Sequence, residues 1–198
     1  VKKGEKPQVT LFLLNAGKKE YKPELLHLPN YLTAKADPAV LRPGKMGKLV
    51  VTLKSNQLHG LGLTQSSVYL SRFAGDRVNK DNELGISVTL LPNFTTAELN
   101  SPQAPLAEMA TSIDLGAFNG KSKLKGTVVL TNKGQSPLVI NMLQVYNPGI
   151  SVALSKTTLR PGESTDMKIV VSSAVERFRG SRKVLLITND PRHPKISL

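Results

Sequence analysis

Leu41-Arg42-Pro43-Gly44 and Leu159-Arg160-Pro161-Gly162 are the same four residues, 118 positions apart in a chain of 198. Proline presets φ at a turn position and glycine supplies the positive φ that other side chains resist. Each copy therefore reads as a tight turn between two strands. A second pair keeps the same order: Asn15-Ala16-Gly17 recurs 117 positions on as Asn132-Lys133-Gly134. Leu49-Val50-Val51 then corresponds to Ile169-Val170-Val171, and Gly62 to Gly180. One copy of either motif carries little weight. Two copies in one order at nearly one offset mark a duplicated unit.

Outward from these turns, the chain gives short apolar runs with a period near two, such as Val9–Leu14, Tyr31–Ala36, Leu49–Leu53, Val68–Phe73 and Ile86–Leu91. Runs of this length at roughly ten-residue spacing predict an all-β chain of two tandem β-sandwich domains, each of about seven strands. The domains are expected over 1–94 and 112–198. Residues 95–111, with Thr-Thr, Asn-Ser and two prolines, are expected to form an extended linker. Ala104–Ala110 is the one helical candidate. Ile113–Phe118 reads as an opening strand of the second domain that the first domain lacks, so both chain ends look cut within a strand. Open strand edges of this kind invite pairing with another copy.

Twenty-seven basic and fourteen acidic residues leave a net charge of +13, divided almost evenly between the halves. A basic tail or a single dedicated basic domain is thereby excluded, while attraction for anionic partners is general. There is no cysteine, which removes disulfides, thiolate zinc sites and cysteine nucleophiles together. No apolar run is long enough for a membrane span. The chain starts at Val1 with no signal-peptide pattern, which reads as a processed or trimmed product.

The second half carries Asp114-Leu115-Gly116, Asn132-Lys133-Gly134, Leu159–Gly162, Gly180 and Thr188-Asn189-Asp190-Pro191. In that order these motifs resemble the immunoglobulin-like superfamily of Hydin-type, ASH and major-sperm-protein domains, and within it the bacterial domain-of-unknown-function family fifteen seventy-three. The resemblance implies two immunoglobulin-like sandwiches and an exported location: periplasm, cell surface or secretion. It attaches no reaction. The first half departs from the family pattern by the longer loop Ala74–Leu84, and neither half has the Cys-Gly-Cys segment that many members carry.

Chemistry-bearing motifs are scarce. The three histidines, His27, His59 and His193, have no second histidine at ligand spacing, and His27 reads as a strand-face residue. There is no Gly-x-Ser-x-Gly elbow, no His-Glu-x-x-His and no phosphate-cradling loop. No catalytic residue, metal site or cofactor is expected, and the chain is expected not to be an enzyme. Asp76–Glu83 offers oxygen ligands, but Arg77 and Lys80 oppose a cation there, so a solvated hairpin loop is the expectation. The densest basic cluster, Arg177, Phe178, Arg179, Arg182 and Lys183, is the candidate site for an anion or partner. Nucleic acid is not expected, because no groove-reading or single-strand module is visible.

The expected function is an exported, non-enzymatic interaction or scaffold module of the cell envelope, binding protein or anionic surface glycan. A periplasmic strand-donating chaperone is the alternative, with Ile86-Val88-Leu90 as the strand that would be lent. An envelope-polymer hydrolase comes third.

Overall fold

A computed structural model describes residues 1–174 and 182–198, and the chain divides into two compact units, Val1–Leu90 and Leu91–Leu198. Unit 1 holds β1 (Gln8–Leu14), β2 (Glu24–Leu26), β3 (Leu32–Asp37), β4 (Met46–Leu53), β5 (Gly62–Ser71) and β6 (Glu83–Leu90). They form two antiparallel sheets, β1-β4-β3 and β2-β5-β6. The alternating strands turn Leu32, Leu49 and Leu53 of one sheet and Leu25, Val68 and Leu90 of the other into a shared core.

Unit 2 holds a single helical turn α1 (Thr96–Leu99), then β7 (Ala107–Glu108), β8 (Lys123–Asn132), β9 (Leu138–Val145) and β10 (Ile150–Leu154). β11 (Thr158–Leu159), β12 (Ser164–Ser172), β13 (Val184–Thr188) and β14 (Lys195–Ser197) complete it. Its sheets, β10-β12-β8-β7 and β11-β9-β13-β14, close on Leu130, Leu138, Leu159, Met167 and Leu186. The chain is therefore all-β, built as two β-sandwiches of immunoglobulin type. Among the described residues the strands divide six and eight, where about seven apiece were expected. In unit 1 the pairing equivalent to β11–β9 shrinks to one bridge, Tyr21 to Leu41, and among the described residues no strand lies outside β1.

The duplicated motifs build the same construction twice. Asn15 is buried and donates from Nδ2 to the carbonyls of Lys19 (2.8 Å) and Leu41 (2.9 Å), while its Oδ1 accepts the Gly17 N–H at 2.9 Å. Asn132 donates from Nδ2 to Ser136 (2.8 Å) and Leu159 (3.0 Å), and accepts from Gly134 at 2.9 Å. Gly44 and Gly162, at φ 68° and 78°, each donate their N–H to the carbonyl of the matching asparagine at 2.8 Å. The Asn-x-Gly and Leu-Arg-Pro-Gly motifs are thus two halves of one buried junction. The first leucine of each turn, Leu41 or Leu159, is fully buried beneath it.

Three local expectations are corrected. Ala104–Ala110 is not helical: Ala107–Glu108 is strand β7, because the Lys133 N–H donates to the Leu106 carbonyl (2.8 Å) and draws the segment onto β8. The helical turn lies at Thr96–Leu99. There Thr95 Oγ1 accepts the Glu98 N–H (3.3 Å) and Glu98 Oε2 accepts the Thr95 N–H (2.7 Å), a reciprocal cap. Ile113–Phe118 is irregular, with Ile113 and Leu115 lying over Gly126 and Phe118 buried in the core. His27 is the first residue past β2, at φ 58°, with its ring edge-on to Tyr69 at 5.5 Å.

Candidate functional site

Among the described residues, β1 pairs on one side only. Its register with β4 runs from Gln8↔Thr52 to Leu14↔Met46. Leu53 donates its N–H to the Pro7 carbonyl and Asn15 donates its own to the Lys45 carbonyl, so the odd residues of β1 face β4 with their backbone groups. Gln8, Thr10, Phe12 and Leu14 turn their N–H and C=O groups the other way, to an edge with no strand beside it among the described residues. The strand itself, Gln-Val-Thr-Leu-Phe-Leu-Leu, carries neither charge nor proline, the usual guards of an open edge.

The outer face beside that edge is apolar. Phe12 is 75% exposed, Met46 67% and Leu14 60%, with Leu14 and Met46 paired directly across β1 and β4. The matching pair of unit 2 is Thr131 and Ser164, whose hydroxyls bond each other at 2.7 Å. Among the described residues of unit 2, Leu99 and Val129 alone are exposed large apolar side chains. Unit 1 shows Val9, Phe12, Leu14, Val40, Met46, Phe73 and Val78.

At the Leu14 end the edge runs into a groove of about 770 Å³, floored by Leu14–Tyr21 and walled by Arg72, Phe73 and Ala74. Lys18, Lys19 and Arg72 supply positive charge and Glu20 the single carboxylate. Arg72 grips Asp76 through Nε (2.8 Å) and Nη2 (3.2 Å), and its guanidinium holds the Asp76 carboxyl well below the usual carboxylate range. Asp76 also accepts the backbone N–H groups of Arg72 and Arg77, and Asn79 caps the turn that follows. The polar loop Asp76–Glu83 is therefore bonded within itself.

Of the basic cluster, Arg177, Phe178 and Arg179 lie outside the described residues. Arg182 and Lys183 are exposed and line a second cavity, about 790 Å³, within unit 2, together with Leu124, Ile169, Val171 and Val184. His193 Nδ1 sits 2.9 Å from Asp190 Oδ2, but that carboxylate is wholly buried and also accepts the N–H groups of Ala107 and Arg192. Its position is that of a structural bracket for β7. Among the described residues no group of three or more His, Cys, Asp or Glu side chains is placed to hold a metal, and no helix is long and apolar enough to cross a membrane. The sequence signal for the β1 face was its uncharged apolar run. Which side of that run would stay uncovered was not readable from it.

Residues 105–198 match the model of the HYDIN/CFA65/VesB-like, Ig-like domain. The match supports an immunoglobulin-like superfamily. It begins two residues before β7, so β7 falls within the matched domain. No curated protein matches the sequence. Among solved structures, a protein of unknown function from Porphyromonas gingivalis W83 is similar over 100% of this chain and 91% of its own, with a TM-score of 0.72 and 20% identity. That likeness shows the fold. The E. coli chaperone DraB covers 96% of this chain and 89% of its own at 11% identity and a TM-score of 0.28. The Pseudomonas aeruginosa CupB2 chaperone covers 96% and 90% at 10% and 0.26. At such TM-scores neither carries an argument about this chain.

Proposed function

We propose that the chain is a non-catalytic interaction module, a tandem pair of immunoglobulin-like domains exported to the cell envelope, that engages a protein partner on the β1 face of unit 1. The observation that carries this is the exposed apolar group Phe12, Leu14 and Met46 beside an unpaired, uncharged strand edge. A contiguous apolar patch next to free backbone donors and acceptors suits a protein surface better than a hydrated glycan. The compartment rests on the family resemblance of the turn motifs. The strand-lending chaperone reading is disfavoured because Val88 and Leu90 are buried, and Ile86 packs, in the unit's own core, which leaves β6 little to lend.

A photo-cross-linking amino acid placed at position 12, in cells that make the protein, tests the reading. A discrete cross-linked protein at position 12, with none from the matching exposed position 129, is the expected result. Equal yields at both positions, or none at 12, would reject it.

A further inference from the structure

The seat for an added strand is built twice in this chain and filled once. In unit 2 the seat is the Asn132–Gly134 corner, and its occupant is the chain's own Ala104–Glu108. The Lys133 N–H donates to the Leu106 carbonyl at 2.8 Å, the Leu106 N–H reaches Asn132 Oδ1 at 3.4 Å, and the Gln135 N–H donates to the Ala104 carbonyl at 3.3 Å. Antiparallel pairing continues through Ala107↔Asn132 and Glu108↔Thr131. The fit is close enough that a methyl on Gly134 would strike Ala104 O and Leu106 N at 2.4 Å.

Unit 1 repeats the corner without the occupant. Asn15 makes the same three bonds, but the Ala16 N–H, the counterpart of the Lys133 donor, folds back to the Leu14 carbonyl at 3.1 Å. A methyl on Gly17 would meet nothing but Asn15 Oδ1, at 3.2 Å. The space that Ala104–Leu106 fills in unit 2 is here the open groove of about 770 Å³. The other half of the edge is built differently: where Ile113 and Leu115 lie over Gly126, unit 1 has the exposed side chain of Val9. Only the Gly17 half keeps the geometry of a seat.

The lining of that half states the chemistry of its occupant. Leu25 pairs with Leu70 as Met142 pairs with Ile187, so Phe73 takes the chain position that Asp190 holds in unit 2, with an exposed ring in place of a buried carboxylate. Gln135 and Ser136 are replaced by Lys18 and Lys19, neither of which forms an ion pair among the described residues. A seat that in unit 2 holds a buried acid thus becomes, in unit 1, apolar with cations. We propose that the groove over Asn15–Tyr21 binds an extended, apolar, carboxylate-bearing segment of a partner protein, laid antiparallel beside Leu14 as Ala104–Glu108 lies beside Asn132. Backbone bonds to the Ala16 N–H and to Leu14 supply register, Leu14, Tyr21 and Phe73 take an apolar side chain, and the lysines take the carboxylate. The inference rests on the protein-binding reading of the β1 face and narrows it to one segment and one seat.

The probe is a labelled peptide of residues 102–110 carrying Ala104→Glu, which sets a carboxylate beside Lys18 as Ala104 lies beside Gln135, titrated into the 198-residue protein. Saturable binding is expected, with amide shifts confined to Leu14–Tyr21 and none at Asn132–Leu138, where the seat is filled. Gly17→Ala should weaken binding by about tenfold or more with little change in melting temperature, since its methyl occupies the segment's place. The double variant Lys18→Glu/Lys19→Glu, remote from the core, should weaken it several-fold. No saturable binding, or equal binding by all three proteins, overturns the proposal. A doubled mass in light scattering that Gly17→Ala halves would overturn it in favour of a second copy as occupant. Cross-linking at position 12 that survives alongside absent peptide binding would remove the groove's role and keep the face; peptide binding without any cross-link would remove the face.

Discussion

β1 and β8 are one strand in two settings. Both run into a buried asparagine with the same bonds, both lie against a central strand, and both present alternate residues to a core. β8 has a neighbour on its second side, and its Leu130 is fully buried. β1 has none among the described residues, and the matching Leu13 is only half-buried. The buried junction therefore forms whether or not the edge is covered. Cover decides how deep the strand's inward side chains lie and what the outward ones are: a hydroxyl pair in the covered unit, an apolar pair in the open one.

Truncating the matched leucines should divide the units most sharply. Leu130→Ala removes a side chain with no exposed surface and is expected to cost about 2–5 kcal/mol. Leu13→Ala, in a half-buried site, should cost about 1–2 kcal/mol. Denaturant unfolding read by hydrogen exchange in each unit would check the difference. Equal costs would mean that the β1 edge is covered in solution.

The asparagines should behave alike. Asn15→Ala and Asn132→Ala each strip the same two carbonyls of a partner, one of them buried, and each is expected to cost about 1–3 kcal/mol in its own unit. A much smaller cost in unit 1 would show that the junction needs its seated strand.

The paired turns and asparagine corners made the fold legible in sequence, because proline, glycine and a buried amide state their geometry locally. The cap Thr95-x-x-Glu98 was written there too, though an apolar stretch nearby drew the helical assignment instead. β7 was not legible. It has two residues, and its reason for being a strand is the edge of β8, some 25 residues further on. The candidate site failed to show for the same reason: alternation identifies the two faces of Val9–Leu14 but cannot tell which neighbours arrive to cover them. The basic cluster was conspicuous in sequence because adjacent charges are visible there, whereas Phe12, Leu14 and Met46 are gathered only by pairing.

Gly134→Ala against Gly17→Ala isolates the seat itself. Neither glycine needs a positive φ, so the added methyl acts through contact alone. At Gly134 it meets the seated backbone, and an overpacking cost of about 1–3 kcal/mol is expected, with faster exchange of the β7–β8 amides. At Gly17 the change should stay within about 0.5 kcal/mol. A large loss at Gly17 would mean that the groove is closed by the chain itself.

The smallest expected effect concerns acid, and it too divides the units. Asp76 accepts the guanidinium and two backbone N–H groups around Arg72, and its carboxyl is held well below its ordinary value. A carboxyl with a depressed folded pKa stabilises the fold fully above the unfolded value, near 4, and loses that contribution as pH falls toward the folded value. Unit 2 has Glu163, lowered chiefly by its bond from Lys156 and then by the Arg160 N–H, but that pair is exposed and salt screens it. The Asp76 side chain is 3% exposed, so its contribution should persist in salt. Unit 1 should therefore weaken between about pH 4 and pH 2 in 0.5 M salt, where unit 2 changes less. Asp76→Asn should flatten that slope, costing most stability at neutral pH and less at pH 2, where part of the carboxylate's contribution remains. An unaltered slope in the variant would assign the acid response to other carboxylates.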